Sequence, residues 1–188
     1  MEQVSVGYAF CGSFCTFDRA MEALERVKAR YGRVLPIISE AGAASDTRFG
    51  SAHDFMREME RICDRRVVDT VVKAEPIGPK KLLDVLVICP CTGNTLAKLA
   101  AGVADSAVTM AAKAHLRNGR PLVLAVSTND GLAASARNIG ELLCRKNIYF
   151  VPFGQDDFRE KPTSLVADFA LVNDTIDAAL EGRQIQPL

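Results

Sequence analysis

The sequence has no excess of charge of either sign and no long hydrophobic run. Lysine plus arginine equals aspartate plus glutamate at 23 each, so the chain lacks the basic surplus with which nucleic acids and anionic membranes are bound. No apolar run approaches the roughly 18 residues of a membrane-spanning helix. Residues 1–10 lack the basic start and the small-residue cleavage site of a signal peptide. We therefore expect a cytoplasmic protein with no nucleic-acid or membrane partner.

Common enzyme signatures are also absent. The chain has no G-x-G-x-x-G motif, no Walker lysine and no G-x-S-x-G elbow. Of the two histidines, His53 follows Ala52 at a predicted helix start and suits a surface or capping role, whereas His115 ends an alanine-rich helix and suits packing. The cysteines match no common zinc spacing, so we predict no metal site and mostly buried, reduced thiols at Cys11, Cys15, Cys63, Cys89, Cys91 and Cys144.

What remains is the pattern of one α/β domain over residues 1–188. Hydrophobic residues make up 48% of the chain, which is enough for a sizeable core. Short apolar runs alternate with helical periodicity, as in a mostly parallel sheet covered on both faces. Strands are predicted at 4–10, 34–38, 67–72, 85–89, 122–126 and 148–151. Helices are predicted at 17–31, from Ser51 through Ile62, at 95–116 with a break near Gly102, at 132–146 and at 164–180, with a loop at 40–50 and a turn at 75–79.

The ends of four predicted strands carry small polar residues. Gly12 and Ser13 follow the first strand, Ser39 the second, residues 90–95 the buried strand 85–89, and residues 127–131 the strand 122–126. Ligands of open α/β sheets bind beyond such strand ends, and helix-start amides attract phosphate. The loops suit a planar ligand with one phosphate, although each also suits an ordinary helix cap or turn.

Three of these segments resemble motifs of the homo-oligomeric flavin-containing cysteine decarboxylases and their flavoprotein relatives. Gly12-Ser13 matches the phosphate loop of that family, residues 90–105 match its signature of a proline, Asn-Thr, a short helix and Gly-x-Ala-Asp, and residues 126–129 occupy the place of its Pro-Ala-Met-Asn motif. Further segments resemble family members that make dipicolinic acid in spore-forming bacteria: residues 47–50, 72–80, 110–114, 127–130 and 146–157.

The resemblance implies a three-layer α/β/α Rossmann-like (flavodoxin-like) doubly wound parallel sheet that binds FMN and assembles into trimers or dodecamers. Gly12, Ser13 and Ser39 would hold the phosphate and ribityl end. The flavin would be lined by Phe49, Thr92, Gly93, Asn94 and Thr95, and the substrate space bordered by Ser127, Thr128 and Asn129. Asn94 and Asn129 are the candidates for a catalytic role, and Arg48, Lys73, Lys113 and Asn129 for substrate binding.

The implied reaction is oxidation of a dihydrodipicolinate-type precursor, a small dicarboxylate, in the mother cell of a spore-former. A second protein, a nicotinamide-dependent A subunit, would take part and use NAD(P). Two departures from the decarboxylases bear on this expectation: Pro76 stands where they have a catalytic histidine, and Cys91 and Gly93 stand where they have alanines. Because proline cannot transfer a proton, decarboxylation is disfavoured. A flavin prenyltransferase, a phosphopantothenoylcysteine decarboxylase-like enzyme and a non-catalytic partner of the A subunit remain as alternatives.

Overall fold

The fold is built on a parallel sheet of β2-β1-β3-β4 order. The computed structural model describes residues 4–188. Its strands are β1 (Ser5–Phe10), β2 (Arg33–Ile38), β3 (Val85–Cys91), β4 (Leu122–Thr128), β5 (Ile148–Phe150), β6 (Phe153–Gly154) and β7 (Leu165–Ala167). β5 runs parallel to the first half of β4, and the second half of β4 pairs antiparallel with β7, which pairs with β6. The strand order reverses between β1 and β3, as in flavodoxin-like folds.

Helices cover both faces of the sheet. One face carries α1 (Phe17–Tyr31), α3 (Ala52–Cys63) and α8 (Val172–Leu180), and the other carries α4 (Val71–Ala74), α5 (Gly93–Ala101), α6 (Ala107–Leu116) and α7 (Ala136–Leu143). Alternate residues of the strands serve the two cores: Tyr8 and Phe10 of β1 face the first, and Ala9 faces the second. The predicted three-layer, flavodoxin-like α/β class is confirmed.

Helix α1 follows directly from its sequence. Phe17, Leu24 and Val27 recur at helical spacing and are buried against the sheet, where each contributes about 1.5–3 kcal/mol of hydrophobic stabilisation. Gly32 ends the helix with a φ of 71°, a conformation that costs glycine little. The predicted helix and its stop are therefore confirmed.

Two predicted elements are wrong. Residues 67–72 form no strand: Val68 makes one isolated bridge to Ile37, and the Thr70 hydroxyl then accepts a hydrogen bond from the Lys73 amide and starts α4. Residues 164–180 do not form one helix. The stretch begins as strand β7, and the Asp168 carboxylate accepts from the Ala170 amide to start the 3-10 turn Phe169–Leu171 before α8. In both places a capping side chain decides the structure.

Other boundaries differ by local capping as well. The predicted loop 40–50 contains α2 (Glu40–Ala44), capped by Ser39. The helix predicted at 132–146 begins only at Ala136, because residues 131–135 form turns on the Asp130 carbonyl. The predicted turn at 75–79 contains the 3-10 turn Glu75–Ile77. The break near Gly102 is confirmed, since α5 ends at a left-handed Gly102 before α6.

Cysteine and histidine occupy ordinary structural places. Cys11, Cys63, Cys89 and Cys91 are buried free thiols, whereas Cys15 and Cys144 are exposed. Within residues 4–188, no group of three or more His, Cys, Asp and Glu side chains is arranged to hold a metal ion. In the same residues, no helix combines the length and the apolar composition needed to cross a bilayer.

Candidate functional site

The turns after β1, β2, β3 and β4 meet at the carboxyl edge of the sheet. The Thr95 hydroxyl at the start of α5 donates to the Cys11 sulfur at 3.1 Å. The Ser39 amide donates to the Phe10 carbonyl at 3.0 Å. The hydroxyl oxygens of Ser13 and Ser127 lie 2.8 Å apart. The strand-end residues that the sequence singles out are therefore brought together at the β1/β3 switch point, where ligands of this fold class bind.

Three hydroxyl groups cluster at the start of α1. The Thr16 hydroxyl lies 3.2 Å from Ser13 Oγ and 3.3 Å from Ser127 Oγ, which closes a triangle with the contact between the two serines. In the described chain no side chain caps the 3-10 turn Phe14–Thr16 or the helix that continues it. Rotatable hydroxyls and helix-start amides together supply donors for an anion. This cluster is suited to a phosphate.

A cavity of about 550 Å³ opens above this cluster; we call it the Ser127 lobe. Its polar floor comes from Gly12, Ser13, Thr16 and residues 127–129, which are the end of β4 and the start of the turn that follows it. Apolar surface is added by Phe14, Phe49 and Val166. Its charged side chains come from three separate segments: Arg19 on α1, Arg48 after α2, and Asp156 and Lys161 between β6 and β7. The lobe is therefore polar at its base and carries more positive than negative side chains.

A second cavity of about 400 Å³ adjoins the first; we call it the Ser39 lobe. The two share Gly12, Phe14 and Thr92. The charged side chains of this lobe already have partners within the protein. Lys98 is paired with Asp105 at 2.8 Å, and both Glu40 carboxylate oxygens accept from the Ala107 amide of α6. The remaining lining includes Ser39, Asn94, Thr95 and Ser106. Cations in this lobe are thus already neutralised by the protein.

Gly93 lies beneath the turn after β4 rather than in either lobe. Thr128 Oγ1 donates to Asp130 Oδ1 at 2.5 Å, and Ser135 Oγ donates to the same oxygen at 2.9 Å. A β-carbon on Gly93 would stand 2.6–2.8 Å from these three oxygens. Glycine is therefore required for the start of α5 to approach this turn. The Thr128 hydroxyl lowers the pKa of Asp130, with a smaller contribution from Ser135, so the carboxylate acts as an ionised acceptor.

Histidine takes no part in lining the two lobes. His53 is an exposed residue of α3 beside Asp54. His115 is buried in α6, where its Nε2 lies 2.9 Å from the Pro121 carbonyl oxygen, and burial lowers its pKa to about 4. Burial also raises the pKa of the Cys11 thiol to about 11, so that this neighbour of Thr95 stays protonated. The structural roles predicted for both histidines agree with these positions.

Most of the predicted site residues line one of the lobes, and three do not. Gly93 is covered as described, Lys73 pairs with Asp69 at 2.6 Å, and Lys113 is exposed on α6 outside both linings. The predicted residues that line a lobe are Gly12, Ser13, Ser39, Arg48, Phe49, Thr92, Asn94, Thr95, Ser127, Thr128 and Asn129. Pro76 lies in the 3-10 turn before β3 and lines neither lobe.

Several residues that line the site are not among those predicted from the sequence. Thr16 and Arg19 lie three and six residues after Ser13. Because residues at this spacing share one face of a helix, the sequence contains a signal that both lie on the same side as Ser13. Asp156, Lys161 and Ser164 had no such signal, because their position depends on strand β7, which the sequence pattern presents as helix. The pairing of β7 with β4 places the whole 155–164 segment beside the Ser127 lobe.

The two lobes have the size and lining of a small-molecule site. Each has a volume within the roughly 300–1,000 Å³ of small-molecule sites, at about 550 and 400 Å³. The hydroxyl cluster and uncapped turn supply phosphate donors. Phe14, Phe49 and Val166 supply apolar surface of the kind that a planar ring system packs against. Fold and site together define a flavodoxin-like α/β protein with a mononucleotide-sized site at its switch point.

Comparison with known proteins places this chain more closely. Residues 13–154 match the family model described as Flavoprotein. The chain is 42% identical to the B subunit of dipicolinate synthase from Bacillus subtilis (strain 168) over 183 residues, which is 97% of this chain and 92% of that protein. The chain therefore belongs to the flavoprotein family, as its motifs predicted.

Solved structures agree with this placement. The crystal structure of the B subunit of dipicolinate synthase from Bacillus halodurans C superimposes with a TM-score of 0.89 at 44% identity, covering 100% of this chain and 97% of that one. The FMN-dependent cysteine decarboxylase SpaF superimposes with a TM-score of 0.72 at 22% identity, covering 95% and 96% of the two chains. At that identity the second likeness concerns the fold alone.

Proposed function

We propose that this chain is the FMN-binding subunit of a dipicolinate synthase and acts with the nicotinamide-dependent A subunit of that enzyme. The observation that carries the proposal is the hydroxyl cluster of Ser13, Thr16 and Ser127 at the switch point, in a chain 42% identical to the B subunit of a dipicolinate synthase. The proposal includes a homo-oligomer, trimeric or dodecameric, in the cytoplasm of the mother cell, as the resemblance to the flavin-containing decarboxylases and to dipicolinate-forming proteins implies.

Each part of the site has a proposed role. Gly12, Ser13 and Ser39 hold the phosphate and ribityl end, the two serines through their hydroxyl groups. Phe49 packs near the flavin ring, and residues 127–129 at the end of β4 border the substrate. The flavin is further lined by Thr92, Asn94 and Thr95, all of which line the Ser39 lobe. Gly93 contributes by leaving room for the Thr128 hydroxyl rather than by contact with the flavin.

The proposed reaction requires little acid–base catalysis by the side chains of this chain. Turning a dihydropyridine dicarboxylate into a pyridine dicarboxylate removes two electrons and two protons, which an oxidised flavin accepts when it is bound. Neither histidine lines the lobes, and Asp130 is held ionised by its two hydroxyl donors. The residues of the site therefore bind and orient, and Asn94 and Asn129 supply amide groups for hydrogen bonds to ring or carboxylate atoms.

An absorbance spectrum tests the cofactor. The purified chain mixed with FMN and freed of excess ligand should retain the absorption bands of oxidised flavin. Riboflavin, which lacks the phosphate, should bind at least roughly tenfold more weakly, because it loses the charge-assisted hydrogen bonds at the hydroxyl cluster. Absence of flavin bands, or equal affinity for the two flavins, would contradict the phosphate assignment.

An activity assay tests the role in synthesis. Dipicolinate formation from a dihydrodipicolinate-type precursor is measured with only the A subunit, with only this chain and with the two together, each with and without FMN. We expect the combination with FMN to be the active one. Activity of the combination that is indifferent to FMN would instead make this chain a helper that activates the A subunit.

One observation favours a second candidate, a flavin prenyltransferase-like enzyme. Arg19, Arg48 and Lys161 all line the Ser127 lobe, and a prenyl phosphate would need such converging cations. Incubating the reduced-flavin form with dimethylallyl monophosphate and following modification of the flavin by mass spectrometry separates the two functions. We expect no mass increase of the flavin, because the relatives at 42% and 44% identity are dipicolinate synthase subunits.

A further inference from the structure

The Ser127 lobe carries a set of cations that the phosphate assignment does not use. Arg19, Arg48 and Lys161 line the lobe together with a single carboxylate, that of Asp156. The lobe therefore has a surplus of positive side-chain charge, although the whole chain is neutral. An anion that enters the lobe meets cations from three separate segments of the chain.

These cations are held without being strongly neutralised. The Arg19 guanidinium stacks on Phe169, 5.2 Å from the ring centroid, and the Arg48 guanidinium stacks on Phe49 at 4.8 Å. Lys161 Nζ lies 3.8 Å from the Asp156 carboxylate, whereas Lys98 is 2.8 Å from Asp105. Stacking fixes a guanidinium while leaving its N–H fork available for a carboxylate.

The segment that carries Lys161 is fixed to the floor of the lobe. The Thr163 hydroxyl donates to the Asn129 carbonyl at 2.7 Å, and the Leu132 amide donates to the Thr163 carbonyl at 2.9 Å. The Ser164 amide donates in turn to the Lys161 carbonyl at 3.0 Å. Lys161 is therefore tied to the turn after β4 by the backbone and is part of the site.

Arg19 borders a second cavity as well as the Ser127 lobe. Arg19 and Asp156 also line a neighbouring cavity of about 400 Å³, formed by residues 152–156, 166–168 and Leu171. Gly12, Ser13 and Thr16 line the Ser127 lobe but not that cavity. We call the boundary between the two cavities the rim. Because the hydroxyl cluster already supplies donors for the phosphate, the cations of the lobe are available to a second anionic ligand.

We infer that Arg19 and Lys161, together with Arg48, form the binding site for the two carboxylates of a planar heteroaromatic dicarboxylate. The inference rests on the proposed function for the identity of the ligand, and it assigns substrate binding to residues on α1 and on the β6–β7 segment. Three cations from separate segments provide partners for two carboxylates, and bidentate contacts from an arginine fork suit a carboxylate. Lys73 and Lys113 have no part in this site.

The test measures binding rather than turnover. Pyridine-2,6-dicarboxylate is titrated into the full chain by calorimetry, with and without FMN, for the parent and for Arg19→Gln, Arg48→Gln and Lys161→Gln. Each substitution should weaken binding by roughly five- to tenfold, since it removes one charge-assisted contact at a partly exposed rim. The affinity for FMN should stay within about twofold of the parent.

Two controls sharpen the result. Arg159→Gln makes the same charge change in the same segment, at an exposed residue that stacks on Phe158 and does not line the lobe, and it should bind like the parent. Pyridine-2-carboxylate, with one carboxylate, should bind the parent more weakly than the dicarboxylate. That preference should shrink in the Arg19 and Lys161 variants.

The outcomes separate the two proposals. If the parent retains no FMN, the proposed cofactor is wrong, while the titration without FMN still reports on the cations. Unchanged dicarboxylate binding in the Arg19 and Lys161 variants, or no binding by the parent, overturns the inference. A loss of FMN affinity equal to the loss of dicarboxylate affinity also overturns it, because the cations would then serve the cofactor phosphate.

Discussion

Replacing Gly93 with alanine tests how the start of α5 is held against the turn after β4. The new β-carbon would lie 2.6 Å from Ser135 Oγ, 2.7 Å from Thr128 Oγ1 and 2.8 Å from Asp130 Oδ1, closer than β-carbons normally approach other atoms. Because both hydroxyls donate to Asp130, none of these oxygens can move aside without weakening a hydrogen bond. Overpacking costs about 1–3 kcal/mol, and a weakened hydrogen bond adds about 1 kcal/mol. We expect the free energy of unfolding to fall by about 2–4 kcal/mol.

Urea unfolding followed by circular dichroism measures this change, and the melting temperature should fall by about 4–16 °C. Gly140→Ala is the matched control, because a β-carbon on this exposed residue of α7 meets nothing within 4 Å. Alanine there should leave stability unchanged or raise it by up to about 1 kcal/mol. Adding Ser135→Ala to the Gly93 variant removes the nearest contact and should recover part of the loss.

The same samples connect the packing to the site. Thr128 lines the Ser127 lobe, so displacing it should weaken FMN binding in the Gly93 variant and leave the Gly140 variant unaffected. If Gly93→Ala unfolds at the same urea concentration as Gly140→Ala, the account of this contact is refuted. If the variant is destabilised but binds FMN like the parent, only the link between the turn and the cofactor fails.

Three further substitutions test separate parts of the molecule. Ser13→Asp should weaken FMN binding by at least roughly tenfold, measured by flavin fluorescence, because it sets a carboxylate against the phosphate. His115→Gln should reduce the loss of stability at acid pH. The pKa of His115 is about 4 in the folded chain and about 6.5 in the unfolded chain. The parent therefore loses stability as the pH falls from about 6.5 to 4, by about 3 kcal/mol in total. Glu40→Gln should cost about 0.5–1 kcal/mol in urea, because the charge of this carboxylate acts at the Ala107 amide that begins α6.

Each of the three has a matched control. Ser13→Asn keeps the size of the aspartate without its charge and should bind FMN more tightly than Ser13→Asp; equal weakening would remove charge as the cause. His53→Asn changes an exposed histidine and should lose stability at acid pH as the parent does. If His115→Gln also loses stability as the parent does, protonation of His115 is not the cause of the loss. Glu22→Gln alters an exposed residue of α1, and it should unfold like the parent.

The sequence predicts the layers well because buried strands and amphipathic helices have distinct periods. Val85 to Cys89 reads as a buried strand and is one, and the spacing of Phe17, Leu24 and Val27 sets the buried face of α1. The turns at Ser13 and Ser127 were found for the same reason, since each follows an unmistakable strand. Their 2.8 Å contact is not given by strand adjacency, because β3 lies between β1 and β4; it depends on how the segment after β1 crosses the carboxyl edge of the sheet.

The position of Lys161 escapes this reasoning because a three-residue strand decides where it lies. Leu165, Phe169, Val172 and Ile176 have helical spacing, yet Asp168 interrupts the helix by capping the following turn. The freed residues then pair antiparallel with β4, Val166 opposite Ser127. That pairing returns the 155–164 segment across the carboxyl edge and sets Lys161 in the same cavity as Arg19. Lys161 does not differ in sequence from a solvated surface residue, so its place beside Arg19 exists only once β7 has paired.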